Sequence, residues 1–221
     1  FDVFNAGVYF GKALQRAYAE NRIVEYIMPD PKRKVYTFWD LGVADHSAIW
    51  FAQFTEEGVE LVHYYEDRDY GMAHYIKYVR DWAQDKGVVF GAHYGPHDIA
   101  HRDWVTARTR QKVAQQEYGF RFEKTESALL SDQIEAARSL FPRVRISQSA
   151  CQNGLSALSS YGKEWDSKRK VYKERPAHDW SSHGSSAFMN LAMQWSQGKF
   201  LASKRPVGRH PNLEPFNPLY D

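Results

Sequence analysis

The sequence predicts an α/β protein: one mixed sheet flanked by helices. Three observations predict it. Val35 to Trp39 is an unbroken aromatic and β-branched run that ends on Asp40, as suits a strand inside a sheet. Two further strand-like runs follow, Ser47 to Phe54 and Val59 to Glu66, joined by Thr55-Glu56-Glu57-Gly58, so the first three strands read as an antiparallel meander. Then Met72, Tyr75, Ile76, Val79, Trp82 and Ala83 recur at helical spacing before Gly87 and the apolar run Val88-Val89-Phe90, a strand–helix–strand order that implies a parallel crossover.

Taken in order, Phe1 to Met28 holds an amphipathic stretch (Leu14, Ala17, Tyr18) and closes on Pro29-Asp30-Pro31, so residues 1–34 read as a lead-in to a domain over 35–197. The crossover strand runs into Tyr94-Gly95-Pro96-His97-Asp98. His101 to Glu117 reads as a basic helix, and Phe120-Arg121-Phe122 as a short strand. Leu130, Ile134, Ala137 and Phe141 mark a helix ended by Pro142, Val144-Arg145-Ile146 a last short strand, and Cys151, Leu155, Leu158 and Tyr161 another helix face. Lys163 to Lys173 reads as a hairpin with a basic tip and one aromatic on each arm. The final helix buries Ala187, Phe188, Leu191, Ala192 and Trp195, with Asp179, Ser181 and Ser182 as candidate caps and Ser182, His183, Ser186 and Asn190 as a polar stripe that could line a site. Residues 198–221, rich in proline, read as a flexible tail.

Composition narrows the partners. With 221 residues, 43% of them apolar, the chain can bury one substantial core, and a formal charge of +2 makes any nucleic-acid contact a matter of local patches. The single Cys151 excludes an intrachain disulfide and a cysteine-built zinc site, and fits a reducing compartment. No apolar run approaches a membrane span.

Asp40 is the first candidate for chemistry. A carboxylate at the end of a buried strand must be solvated, paired or bound to metal; the bland alternative is a turn aspartate ahead of Gly42. Asp98 repeats the arrangement beside Gly95, and a short right-handed crossover would bring both acids to one carboxyl edge of the sheet. Asp45 reads equally as an auxiliary ligand or a plain turn residue. Lys163, Lys168, Arg169, Lys170 and Lys173 read either as a solvated hairpin or as a lever that grips phosphates without reading bases.

Four pieces in order, Trp39-Asp40-Leu41-Gly42, Pro96-His97-Asp98, Cys151 to Tyr161 with Trp165-Asp166, and His178-Asp179-Trp180-Ser181-Ser182-His183, resemble the nuclease domain of tailed-bacteriophage terminase large subunits over residues 1–197. The resemblance implies a ribonuclease-H-like fold, two divalent ions (Mg2+ or Mn2+) and endonucleolytic cutting of concatemeric viral double-stranded DNA in the host cytoplasm. It also implies an ATPase motor, a small terminase subunit and a portal as partners. No Gly-x-x-x-x-Gly-Lys-Ser/Thr stretch occurs, so the chain reads as the nuclease part. Two-metal phosphodiester hydrolysis needs hard oxygen ligands converging from separate strands, which gives Asp40 the bridging place and Asp98 one ion, with His97 and His183 orienting water, phosphate or a ligand. One position departs. The family carries a third acid in a Gly-Ala-Asp-Ala type run; here the run is Gly184-Ser185-Ser186-Ala187, so either Ser186 leaves the site impaired or Asp179 supplies the acid. Two alternatives compete: another ribonuclease-H-like nuclease of resolvase or integrase type, and a non-catalytic module that binds DNA or the portal.

Overall fold

In the computed structural model, which describes residues 7–42, 46–102 and 107–200, the run Val35–Asp40 forms β2 near the middle of a seven-stranded sheet. The elements in chain order are α1 (Gly11–Ala19), β1 (Ile23–Val24), β2, β3 (Ser47–Phe54), β4 (Val59–Asp67), α2 (Met72–Lys86), β5 (Phe90–Gly95), α3 (Arg110–Tyr118), β6 (Phe122–Lys124), α4 (Leu130–Leu140), β7 (Val144–Ser147), α5 (Gln152–Ser160), β8 (Lys163–Asp166), β9 (Val171–Pro176) and α6 (Trp180–Ser196). The sheet order is β1-β7-β4-β3-β2-β5-β6, and β3 alone runs against the other strands of that sheet, so the architecture is the expected mixed α/β sheet.

Alternation along β2 divides its side chains between two cores. Phe38 joins Trp50, Ala48 and Tyr64 under α1, α4, α5 and α6; Val35 and Trp39 join Ile49, Phe51 and Val62 under α2 and α3. The stretch ahead of residue 35 is built into the first of these cores: β1 pairs in parallel with β7, and Phe10 and Leu14 are buried there. At the other end Phe200 stacks on Phe54 with ring centroids 3.8 Å apart, while the rest of the expected tail lies outside the described residues. α6 lies at the centre of its layer, with Phe188, Leu191 and Ala192 fully buried; burying each of the two larger side chains stabilises the fold by about 1.5–3 kcal/mol.

Three boundaries moved from their expected places. The strand expected at Val88-Val89-Phe90 is β5, starting at Phe90; its small residue Gly91 lies under the Tyr36 ring, so a central strand is made from residues of low strand propensity. The helix expected from His101 starts only at Arg110, where Thr109 Oγ1 accepts the Lys112 N–H at 3.1 Å; residues 103–106 lie outside the described region. The strand expected at 120–122 is β6, starting at Phe122, because Phe120 packs inward against Trp39 instead. α2 ends as expected, with Gly87 in the left-handed conformation at φ 63°.

Two histidines are held neutral by this packing. His63, against Trp82 with Nε2 2.7 Å from the Tyr78 hydroxyl, is pushed down to about 4 by burial and then by the charge of Lys86. His93, with Nδ1 2.7 Å from Thr37 Oγ1, is pushed down to about 3 by burial and then by Arg80. The unfolded chain, with histidines near about 6.5, binds more protons than the folded one, so this stability is complete above about pH 6.5 and lost as pH falls through about 4 and 3. Each histidine should raise the unfolding constant by up to about tenfold per pH unit in that window, read from urea midpoints against pH; a midpoint flat from about pH 6.5 to 4 would contradict it.

Candidate active site

Asp40 ends β2 on the α6 face of the sheet, half-buried, with its Oδ2 2.9 Å from His183 Nδ1. α6 is aimed at it by its start. Asp179 occupies the N-cap, its Oδ1 accepting from the Ser181 N–H at 2.9 Å and the Ser181 hydroxyl at 2.6 Å. One helical turn past His183, Ser186 sits on the side of α6 that faces β2, and Asn190 Nδ2 next donates to the Trp39 carbonyl at 2.9 Å. The polar stripe His183, Ser186, Asn190 therefore lies on the end of β2. The rings of His46 and His178 flank His183 at 6.1 and 5.9 Å.

β5 lies parallel beside β2, with Tyr94 level with Phe38, and Asp98 follows in a one-turn 3-10 helix, His97–Ala100. Both acids are thus at one carboxyl edge, the geometry a parallel crossover implies. His97 is exposed, with the His101 ring 6.3 Å away. Asp45 lies outside the described residues.

The antiparallel register adds an acid that sequence reasoning missed. Asp40 pairs with Ala48, and Ala48 pairs with Glu66, so the three side chains stand in a row across β2, β3 and β4 on the face that α6 covers. Tyr64 donates its hydroxyl to Glu66 Oε2 at 2.6 Å, and its phenol is pushed well up by burial first, then by the charges of Glu66 and Asp40. Gly184 lets the helix come this close: a Cβ there would lie 2.6 Å from the Tyr64 hydroxyl and 2.9 Å from Ala157 Cβ. Arg110, also missed, donates to the Leu41 carbonyl at 3.1 Å, which brings a cation beside the loop after Asp40.

The donor types suit a hard divalent ion: carboxylates on separate strands, and no thiolate. Cys151 is fully buried elsewhere, its thiol pushed up by burial and donating to the Leu61 carbonyl at 3.6 Å. Among the described residues no three His, Cys, Asp or Glu side chains form a ready-made metal cage, so the fit lies in the residue types and in the sheet edge they share.

No family model matches the chain, and no curated protein matches it. Solved structures do. The nuclease domain of the large terminase from bacteriophage SPP1, with bound Mn, superposes with a TM-score of 0.55 at 15% identity, over 79% of this chain and 95% of that one. The large terminase nuclease of thermophilic phage G20c, with bound magnesium, superposes with a TM-score of 0.55 at 12% identity, over 86% of this chain and 97% of that one. The fold is that of a large terminase nuclease domain. A large terminase from a further thermophilic bacteriophage, in complex with ADP, matches over 84% of this chain with a TM-score of 0.62 at 16% identity, and this chain spans 44% of its length.

On this terminase nuclease fold the basic residues of the hairpin divide in two. Lys163 pairs with Glu174 at 3.2 Å, and Lys173 pairs with Glu164, which Arg175 also reaches at 2.7 Å, so the stem is neutralised internally. Lys168, Arg169 and Lys170 occupy the exposed tip, where Asp166 Oδ1 accepts the N–H groups of Lys168 and Arg169 and shapes the turn. Trp165 and Tyr172 face each other across the strands at 4.9 Å and stiffen the arm. No helix among the described residues is long and apolar enough to cross a membrane.

Proposed function

We propose that this chain is a divalent-metal-dependent endonuclease that cuts concatemeric viral double-stranded DNA during genome packaging. The observation that carries the reading is Asp40: a half-buried carboxylate at the carboxyl edge of a terminase nuclease fold, with Asp98 on the adjoining parallel strand end and His183 as its basic partner. Bound at this edge, Mg2+ or Mn2+, as two ions, would supply the Lewis acidity that activates water and stabilises the leaving oxygen of a phosphodiester. The protein's share is placement. His183 Nδ1–H donates to Asp40 and fixes the direction of its carboxylate, and Asp98 brings a second charge to the same edge. Arg110 and the tip residues Lys168, Arg169 and Lys170 supply cations for backbone phosphates, a sequence-tolerant contact. The ATPase motor, small subunit and portal belong to the same reading as partners.

Ser186 favours a second reading, a DNA- or portal-binding module without catalysis, because a hydroxyl stands over β2 where a charged ligand is expected. Linearisation of supercoiled plasmid by the chain and by Ser186→Asp, in Mg2+, Mn2+ and chelator, separates the two. The nuclease reading expects metal-dependent cutting, by the chain itself or by the aspartate form, in which a carboxylate stands over β2 again. Absence of cutting by both forms in either metal would leave the binding module.

The hairpin makes a separate expectation. Neutralising Lys168, Arg169 and Lys170 to glutamine should lower the slope of log affinity for duplex DNA against log salt by about two to three, near 0.9 for each lost phosphate contact. Neutralising Lys163 and Lys173, already paired with Glu174 and Glu164, should change it by less than half as much. Equal slopes for both triple and double variants would remove the tip from the DNA path.

A further inference from the structure

We propose that Glu66 is the acid that completes the metal site, ligating a divalent ion together with Asp40 across Ala48, in the place that Ser186 leaves without a charge. The inference rests on the metal-dependent reading above and adds a ligand to it from β4. Strands in a sheet lie about 4.8 Å apart, so two steps from β2 to β4 separate the Asp40 and Glu66 backbones by about 10 Å. That is a span which one aspartate and one glutamate, reaching inward, can close around a metal ion. The residue between them is Ala48, fully buried, so the side chain standing between the two acids is a single methyl group. A larger residue at that point of the row would separate the two carboxylates.

The chemistry of the row agrees with its geometry. Among the described residues neither Asp40 nor Glu66 pairs with a lysine or arginine, whereas Glu60 on the same strand pairs with Arg145 at 2.6 Å. A divalent cation is the counter-charge that two carboxylates on one face can share. Tyr64 holds one oxygen of Glu66 at 2.6 Å, and Gly184 keeps the turn of α6 above Tyr64. The other oxygen, Oε1, remains to a metal. The arrangement parallels the one at Asp40, where His183 holds Oδ2 and Oδ1 remains. Each acid is steadied through one oxygen by a neighbour on, or packed against, the first turns of α6, so the same helix start sets both.

Isothermal titration of Mn2+ into the full chain tests this without any cleavage readout, alongside melting temperatures measured in chelator. Glu66→Gln, which preserves the shape and the acceptor for Tyr64, should weaken Mn2+ affinity by about tenfold or more while the metal-free melting temperature stays level or rises. Glu66→Asp, shorter by one methylene, should fall between that variant and the parent, and parent affinity in Glu66→Asp would overturn the proposal. Asp40→Asn is the control for the site itself. If Asp40→Asn loses Mn2+ and Glu66→Gln binds as the parent does, Glu66 is not a ligand and the metal site at Asp40 stands without it. If the parent shows no saturable binding, or Asp40→Asn binds as tightly as the parent, the metal-dependent reading fails and Glu66 with it.

Discussion

Replacing Asp40 by asparagine should reduce metal-dependent DNA cleavage by at least about 10³-fold, since removing a charge that stabilises the transition state through a metal is worth several kcal/mol and each 1.36 kcal/mol is tenfold. The fold should survive. Asp40 is at a strand end with its side chain 23% exposed, and its hydrogen bond to His183 can be accepted by the asparagine amide oxygen. The expected shift in urea midpoint is therefore small, about 1 kcal/mol in either direction. The pairing of a large kinetic loss with a small thermodynamic one is what distinguishes a site residue from a structural one. Parent-level cleavage by a folded Asp40→Asn protein would remove Asp40 from the chemistry.

Trp50→Ala should have the opposite signature. Trp50 is fully buried at the middle of β3, packed on Tyr64 at 4.6 Å and Phe188 at 6.0 Å, and its Nε1–H donates to the Gly184 carbonyl at 2.8 Å. Truncation leaves a cavity worth about 3–5 kcal/mol and removes the indole hydrogen bond to α6 for about 1 kcal/mol more. Against a total stability of about 5–15 kcal/mol that is enough to unfold much of the population near physiological temperature, and for a chain of this size it lowers the melting temperature by about 10–20 °C. Trp50→Phe keeps most of the volume and loses the indole donor to α6. It should melt only a few degrees low, about 1–2 kcal/mol, while loosening the helix start that carries His183 and Gly184. A Trp50→Ala protein that melts within about 3 °C of the parent would show that α6 is not anchored through this contact.

How much of this was written in the residue pattern varies with the kind of contact. β2, β3, β4 and α2 were legible because their signals are local: unbroken aromatic and β-branched runs, a four-residue turn, and a 3.6-residue period closed by Gly87. The shared edge of Asp40 and Asp98 was legible as well, since a strand–helix–strand order constrains which ends meet. β5 was misplaced by two residues because Tyr36 packs over Gly91, a tertiary contact that selects a glycine where propensity expects Val88 and Val89. Glu66 was visible as the end of a strand and invisible as a neighbour of Asp40. Their alignment depends on the register of two antiparallel pairings, one of which shifts at an irregularity between Phe51 and Ala52, and a slip of one residue would turn Glu66 to the opposite face. His183 reaching Asp40 across 143 positions is likewise a product of how α6 docks. Asp179 was open between ligand and cap; in the structure its Oδ1 is occupied by two donors at the start of α6.

Whether a metal sits at Asp40 is read most directly from the anomalous difference map of a crystal of this chain soaked in Mn2+. A manganese peak is expected about 2–2.5 Å from an oxygen of Asp40, at the carboxyl edge shared with Asp98. Peaks confined to other parts of the molecule, with Asp40 held only by His183, would contradict it.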